Sequence, residues 1–246
     1  MRRIPFAAAL LPIMGAALMA ATSAKAAVTA DLANGENIFK NGKGEVPACS
    51  SCHGEKGMGN DSLGTPRLSG QVYQFLRKQL EDFATDKRED KTMFVMNANA
   101  KGLTPQDRTD VAAFLSTRED TPEHSNLEEL KANGTDTGVT YEGKAIVNFG
   151  DVKRGISACQ SCHGYNGRGR DPVYPQLNGQ KFVYLTNQLR NWRDGSRAND
   201  PLAQMRKIAQ HLTDADIANV ANYLSHAPLT TAGNPRIPER HLPFAH

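Results

Sequence analysis

The chain has 246 residues, 39% hydrophobic and 22% charged, and its 29 Lys and Arg against 26 Asp and Glu give a formal net charge of +3. With no dense basic block, that balance argues against nucleic acid as a partner. A single apolar run approaches the roughly 20 residues that span a bilayer, and it lies at the extreme N-terminus, so a bundle of membrane helices is excluded as well.

Residues 1–26 read as an export signal. Arg2 and Arg3 form its charged region, Phe6 to Ala21 is apolar apart from Pro12 and Gly15, and Ala24-Lys25-Ala26 is a small-residue cleavage site. The mature chain is then expected to begin near Ala27 in the periplasm, soluble, or loosely membrane-associated if the segment is retained as an anchor. Removing Arg2, Arg3 and Lys25 leaves 26 basic residues against 26 acidic ones. The remainder is unevenly spread: 12 basic and 14 acidic residues over 27–120, one and four over 121–140, thirteen and eight over 141–246. An acidic half precedes a basic half.

A short helical segment around Gly35 to Lys40 leads into Cys49-Ser50-Ser51-Cys52-His53. Pro66-Arg67-Leu68-Ser69-Gly70-Gln71 follows, and then Tyr73, Leu76, Leu80 and Phe83 fall at i, i+3, i+7 and i+10, one face of a helix. Arg88, Met93 and Met96 come next. Thr104-Pro105 predicts a capped helix start with proline at its first position, and the helix buries Val111, Ala112 and Leu115. The polar, acidic stretch up to Thr140, with Pro122, Gly134 and Gly138, reads as a linker over 121–140.

The same order then returns. Gly143 to Phe149 is a short helical segment, Cys159-Gln160-Ser161-Cys162-His163 repeats the cysteine motif, and Pro175-Gln176-Leu177-Asn178-Gly179-Gln180 repeats the proline segment at an offset of 109. At that offset Phe182, Leu185, Leu189 and Trp192 match the first helix face, Arg197 matches Arg88, and Thr213 matches Thr104 ahead of Val220, Ala221 and Leu224. The prediction is two all-α units, 27–120 and 141–228, with a proline-bearing, extended tail over 229–246.

Cys-x-x-Cys-His is the attachment signature of c-type haem: two thiols add to the porphyrin vinyl groups and the adjacent histidine reaches the iron. Zinc ribbons separate their cysteine pairs by about 15 to 20 residues, whereas Cys52 and Cys159 are 107 positions apart. Two covalent haem c groups are therefore expected, held by Cys49, Cys52 and His53 and by Cys159, Cys162 and His163. The mature chain has Met58, Met93, Met96 and Met205, and only Met96 and Met205 are related by the offset, each seven residues before a Leu-Thr pair. The sixth ligands are accordingly assigned as Met96 for His53 and Met205 for His163, with Met93 the competitor. His211 reads as a loop histidine. His124, His226, His241 and His246 lack repeat partners and are expected to be exposed.

With both haem motifs, both Pro-x-Leu-x-Gly-Gln segments, both Gln-Leu pairs and both methionine segments, the mature chain resembles the di-haem cytochrome c4 family over nearly its whole length. The resemblance implies two class I cytochrome c domains in tandem about a pseudo-twofold axis, moving single electrons in the periplasm between respiratory donors and an acceptor such as a terminal oxidase. It also suggests the Pro66 and Pro175 carbonyls as acceptors for the histidine ring protons. Arg88 and Arg197, with Tyr73 or Trp192, are candidates for the haem propionates. The long linker and tail depart from the family pattern. The chain is expected to be an electron carrier and not an enzyme. The alternative is a cytochrome subunit of a larger oxidoreductase, as in sulfide-oxidising flavocytochrome c. An enzyme whose own haem reacts, as in di-haem peroxidases or thiosulfate dehydrogenases, needs an open or unusually ligated iron.

Overall fold

A computed structural model describes residues 29–229. The export-signal and cleavage-site expectations, the tail from residue 230 and His241 and His246 lie outside the described residues. Within them the chain is helical, and its β-pairing is confined to four isolated bridges. No described helix is long and apolar enough to cross a membrane.

The first half contains α1 (Leu32–Asn41), α2 (Ser50–His53), α3 (Tyr73–Ala84), α4 (Met96–Lys101) and α5 (Pro105–Ser116). After α6 (Leu127–Ala132), the second half repeats them as α7 (Thr140–Phe149), α8 (Gln160–His163), α9 (Phe182–Arg193), α10 (Gln204–Ala209) and α11 (Asp214–His226). In each half the first helix crosses the last, and glycine permits the approach. A Cβ on Gly35 would stand 2.2 Å from the Asp110 carbonyl oxygen, and one on Gly143 would stand 1.9 Å from that of Asn219. Ile38 and Phe39, or Ile146 and Val147, are thereby pressed into separate cores with Leu115 and Leu224. Both C-terminal helices start in a complete capping box. Thr104 and Thr213 accept from the Asp107 and Asp216 amides, and those carboxylates accept in return from the threonine amides.

The methionine segments contain the short helices α4 and α10, which begin at or beside Met96 and Met205. The connecting stretch over 121–140 carries structure of its own. Asn126 caps α6 by accepting from the Glu129 amide, and Leu127 and Leu130 pack on the second core. Around α6 the strand of chain is tied down at several points. Ser125 Oγ accepts from the Phe182 amide at 2.8 Å, Lys181 Nζ donates to the Glu123 carbonyl at 2.8 Å, and the Val139 amide donates to Asn219 Oδ1 at 2.6 Å. The stretch is a strap bound to the second half. Its polar residues satisfy backbone groups there, which composition alone does not reveal.

The halves dock through equivalent side chains. Gln71 donates from Nε2 to the Gln176 carbonyl at 2.8 Å and accepts the Gln176 amide at 2.7 Å. Gln180 does the same to residue 67, at 2.9 and 2.6 Å. Residues 71 and 180, like 67 and 176, are 109 apart, so each half grips the other at the same point, as a local twofold axis requires.

Candidate haem sites

Each cysteine motif forms one helical turn. The His53 amide donates to the Cys49 carbonyl at 3.0 Å and the His163 amide to the Cys159 carbonyl at 2.9 Å, which gathers two thiols and an imidazole on five residues of backbone. No disulfide joins any of the four cysteines, so each sulfur is available for attachment. Burial pushes the Cys49 and Cys159 thiols up to about 11. These turns are braced from outside: Thr65 Oγ1 donates to the Cys52 carbonyl at 2.7 Å, and the Gln160 side chain donates to the Asn148 carbonyl at the end of α7.

The two imidazoles are buried and held alike. His53 Nδ1 lies 3.1 Å from the Pro66 carbonyl oxygen and His163 Nδ1 lies 2.9 Å from that of Pro175. A carbonyl only accepts, so Nδ1 carries the proton and Nε2 keeps its lone pair. Burial also lowers both histidine pKa values and favours the neutral ring. A neutral imidazole with its distal nitrogen bare is the form that binds a metal.

One largely apolar cavity runs through both halves. The two cysteine motifs, Met96 and Met205 all line it, together with Leu76 and Leu185. Met93 lines it too, whereas Met58 is buried away from it. Asp90 fixes the first methionine segment: its Oδ1 accepts from the amides of Thr92 and Met93, and its Oδ2 from those of Val95 and Met96, at 2.9 to 3.4 Å. In the second half Asp200 holds Arg206, accepting from its backbone amide at 3.0 Å and its Nε at 2.8 Å.

At the junction of the halves, Arg88 and Arg197 are both buried and both line the cavity. Arg88 donates to Gln79 Oε1 at 2.8 Å and Gln188 Oε1 at 2.9 Å, and Arg197 to the same two oxygens at 2.9 and 2.7 Å. Arg88 stacks on Phe83 and Arg197 on Trp192, with ring distances of 4.5 and 4.1 Å. Neither guanidinium pairs with a carboxylate among the described residues. Burial, with Arg88 close by, pushes Arg197 down to about 9. Two desolvated cations answered only by neutral groups form an anion site. The porphyrin fits these surroundings: apolar walls for its faces, thiols and imidazoles at its attachment points, and guanidinium groups for its propionates.

His211 is exposed in a loop. His124 and His226 are exposed yet engaged, stacked at 5.0 Å, with His124 Nδ1 2.7 Å from the Ser225 carbonyl oxygen. Tyr73 packs against the first core and makes no hydrogen bond to either arginine. Gln79, Gln188 and Tyr184, whose hydroxyl lies 3.2 Å from Arg88, are functional neighbours the sequence reading missed. The repeated Gln-Leu pair was the available signal.

The cytochrome c family model matches residues 32–119 and 142–228, once in each half. The chain belongs to the cytochrome c family, as a tandem di-haem cytochrome of the c4 group. It is 37% identical over 191 residues to a thiosulfate dehydrogenase electron acceptor of Thiomonas intermedia, covering 76% of this chain and 81% of that protein. It is 30% identical over 185 residues to the cytochrome c4 of Pseudomonas aeruginosa, covering 74% of this chain and 85% of the other. Among solved structures it is similar to a thiosulfate dehydrogenase from Marichromatium purpuratum, with a TM-score of 0.73 and 29% identity. That match covers 82% of this chain but only 42% of the longer one. The cytochrome carries two covalent haem c groups at its two cysteine motifs and acts as an electron carrier, not as an enzyme.

Proposed function

We propose that this cytochrome is a periplasmic shuttle that takes single electrons from a sulfur-compound dehydrogenase and passes them to a terminal oxidase or a similar acceptor. The observation carrying the donor side is the 37% identity, over 81% of its length, to a protein named as the electron acceptor of a thiosulfate dehydrogenase. The export signal at residues 1–26 supports the compartment. The acceptor is inferred from the c4 resemblance.

We assign His53 and Met96 as axial ligands of the first iron and His163 and Met205 as those of the second. When bound, each haem supplies a one-electron couple at its iron, and methionine favours the reduced state. The protein does the rest. Pro66 and Pro175 hold the imidazoles in one tautomer, Asp90 pins the backbone of Met96, and the apolar walls exclude water. With His53 and Met96 holding one iron and His163 and Met205 the other, neither site would have room for a substrate. The test is rapid mixing of the oxidised holoprotein with a purified thiosulfate dehydrogenase and thiosulfate. Reduction within the enzyme's turnover time is expected. Reduction no faster than by thiosulfate alone removes the assigned donor.

A further inference from the structure

α1 and α7 hold equivalent places, and their inward faces carry equivalent residues. Their outward faces do not. In α1 the outward positions are Ala33, Asn37 and Asn41, and Asn41 Nδ2 donates to Asn37 Oδ1 at 2.9 Å. In α7 the same positions hold Tyr141, Ala145 and Phe149, spaced i, i+4 and i+8 as a single stripe. Tyr141 is 73% and Phe149 71% exposed, and Val152 in the following turn is 89% exposed. Clustered, exposed aromatic and branched side chains rimmed by polar groups mark interaction sites.

The stripe leads directly into the second haem turn. Asp151 and Ile156 close a bridge with hydrogen bonds of 2.7 and 2.9 Å, Ile156 enters the second core, and Cys159 follows three residues later. Gln160 reaches back from that turn to the carbonyl beside Phe149. Cys162 is exposed where Cys52 is half-buried. The corresponding turn of the first half, Lys43 to Val46, is two residues shorter and presents Gly44 and Glu45.

Charge completes the contrast. Lys144 and Lys153 flank the stripe, are exposed, and form no ion pair among the described residues. Arg154 is occupied by Asp151 and Asp216. In α1 the residue equivalent to Lys144 is Glu36, paired with Lys40.

Resting on the electron-carrier reading, we propose that the outward face of α7, with Tyr141, Phe149 and Val152 at its centre and Lys144 and Lys153 at its rim, is a docking surface for a redox protein whose own contact face is apolar and ringed by carboxylates. Electrons then enter or leave preferentially through the second domain. Aromatic anchors supply most of the hold, and the lysines steer the encounter.

The test gives α7 the residues of α1, in the variant Tyr141→Ala/Ala145→Asn/Phe149→Asn, and separately reverses the rim in Lys144→Glu/Lys153→Glu. The reaction followed is reduction of the oxidised di-haem holoprotein by a reduced acidic flavodoxin, a probe independent of the sulfur assignment. Ascorbate is the small-molecule control. The α1-like variant is expected to lose about tenfold in second-order rate, the scale of one truncated anchor. The rim reversal is expected to slow the reaction at low salt and remove its salt dependence. Ascorbate reduction and both midpoint potentials should be unchanged. Unaltered flavodoxin rates in both variants overturn the proposal. So does wild-type dimerisation in sedimentation that the α1-like variant abolishes, since a second copy would then cover the face. A faster reaction after deletion of residues 230–246 also overturns it, because the chain's own tail would then be the occupant.

Discussion

The two halves agree at the histidines, at the glutamines that grip across the axis and at the junction arginines, and diverge on the outward faces of α1 and α7. His53 and His163 both rest on a proline carbonyl, Gln71 and Gln180 grip across the axis in mirrored fashion, and Arg88 and Arg197 share one pair of glutamines. By contrast, α1 shows asparagine where α7 shows Tyr141 and Phe149, and the strap over 121–140 hydrogen-bonds to the second half. The inner architecture keeps two equivalent redox sites. Partner choice and tuning are left to the surfaces.

Losing one site should separate the halves most sharply. In Cys159→Ala/Cys162→Ala the second porphyrin has no covalent attachment, and intact mass should fall by one haem while the first domain keeps its own. A unit of about 90 residues has a thin core without such a group, so the second half should also lose protection in hydrogen exchange.

Next in size is the junction. Gln71→Ala and Gln180→Ala each leave a backbone amide and carbonyl of the other half without partners, at a cost of about 1 to 3 kcal/mol per buried group. Calorimetry of the double variant should resolve two transitions where the parent shows one.

Acid stability should also weaken in both halves together. Burial opposes ionisation of Asp107 and Asp216, yet both carboxyls are held below the ordinary range. Lys43, Thr104 and Asn34 do this for Asp107, and Arg154 and Thr213 for Asp216. A carboxyl depressed by folding stabilises the fold above its unfolded value, near pH 4, and that stabilisation drains as pH falls through the folded value. Asp107→Asn and Asp216→Asn should each lose about 1 kcal/mol of capping at neutral pH, and their stability curves should flatten below about pH 4.

A difference of similar size is expected in potential. One net positive charge about 10 Å from an iron is worth roughly 1 to 2 kcal/mol at an effective dielectric of about 20, less where water screens it. The second half, with thirteen basic against eight acidic residues over 141–246, should hold the haem of higher potential. Arg88 and Arg197 do not set this order, because both stand at the junction. A titration resolving the haems by site, for instance in the Met96→Ala and Met205→Ala variants, gives the order directly.

Features recorded locally were legible in the sequence. The cysteine motifs, the threonine caps and the helix face at Tyr73, Leu76, Leu80 and Phe83 each depend on neighbours within a few turns. The repeat extended that reach by setting Met96 beside Met205, and both line the cavity. Interactions between distant segments were not legible. Gln71, Gln79, Gln180 and Gln188 stand in repeated motifs, yet each has a partner in the opposite half, more than 90 residues away. The ties of the 121–140 stretch to the second half were not legible either, because Ser125 and the Val139 amide find partners only once α9 and α11 are packed.

The central claim is that both irons are held between histidine and methionine. Near-infrared magnetic circular dichroism of the oxidised holoprotein tests it most directly, since methionine sulfur bound to ferric haem gives its own charge-transfer band. Intensity corresponding to two such haems per chain, halved in either Met96→Ala or Met205→Ala, is the predicted result. A single methionine-ligated haem in the unaltered protein, or a Met96→Ala spectrum indistinguishable from it, contradicts the account.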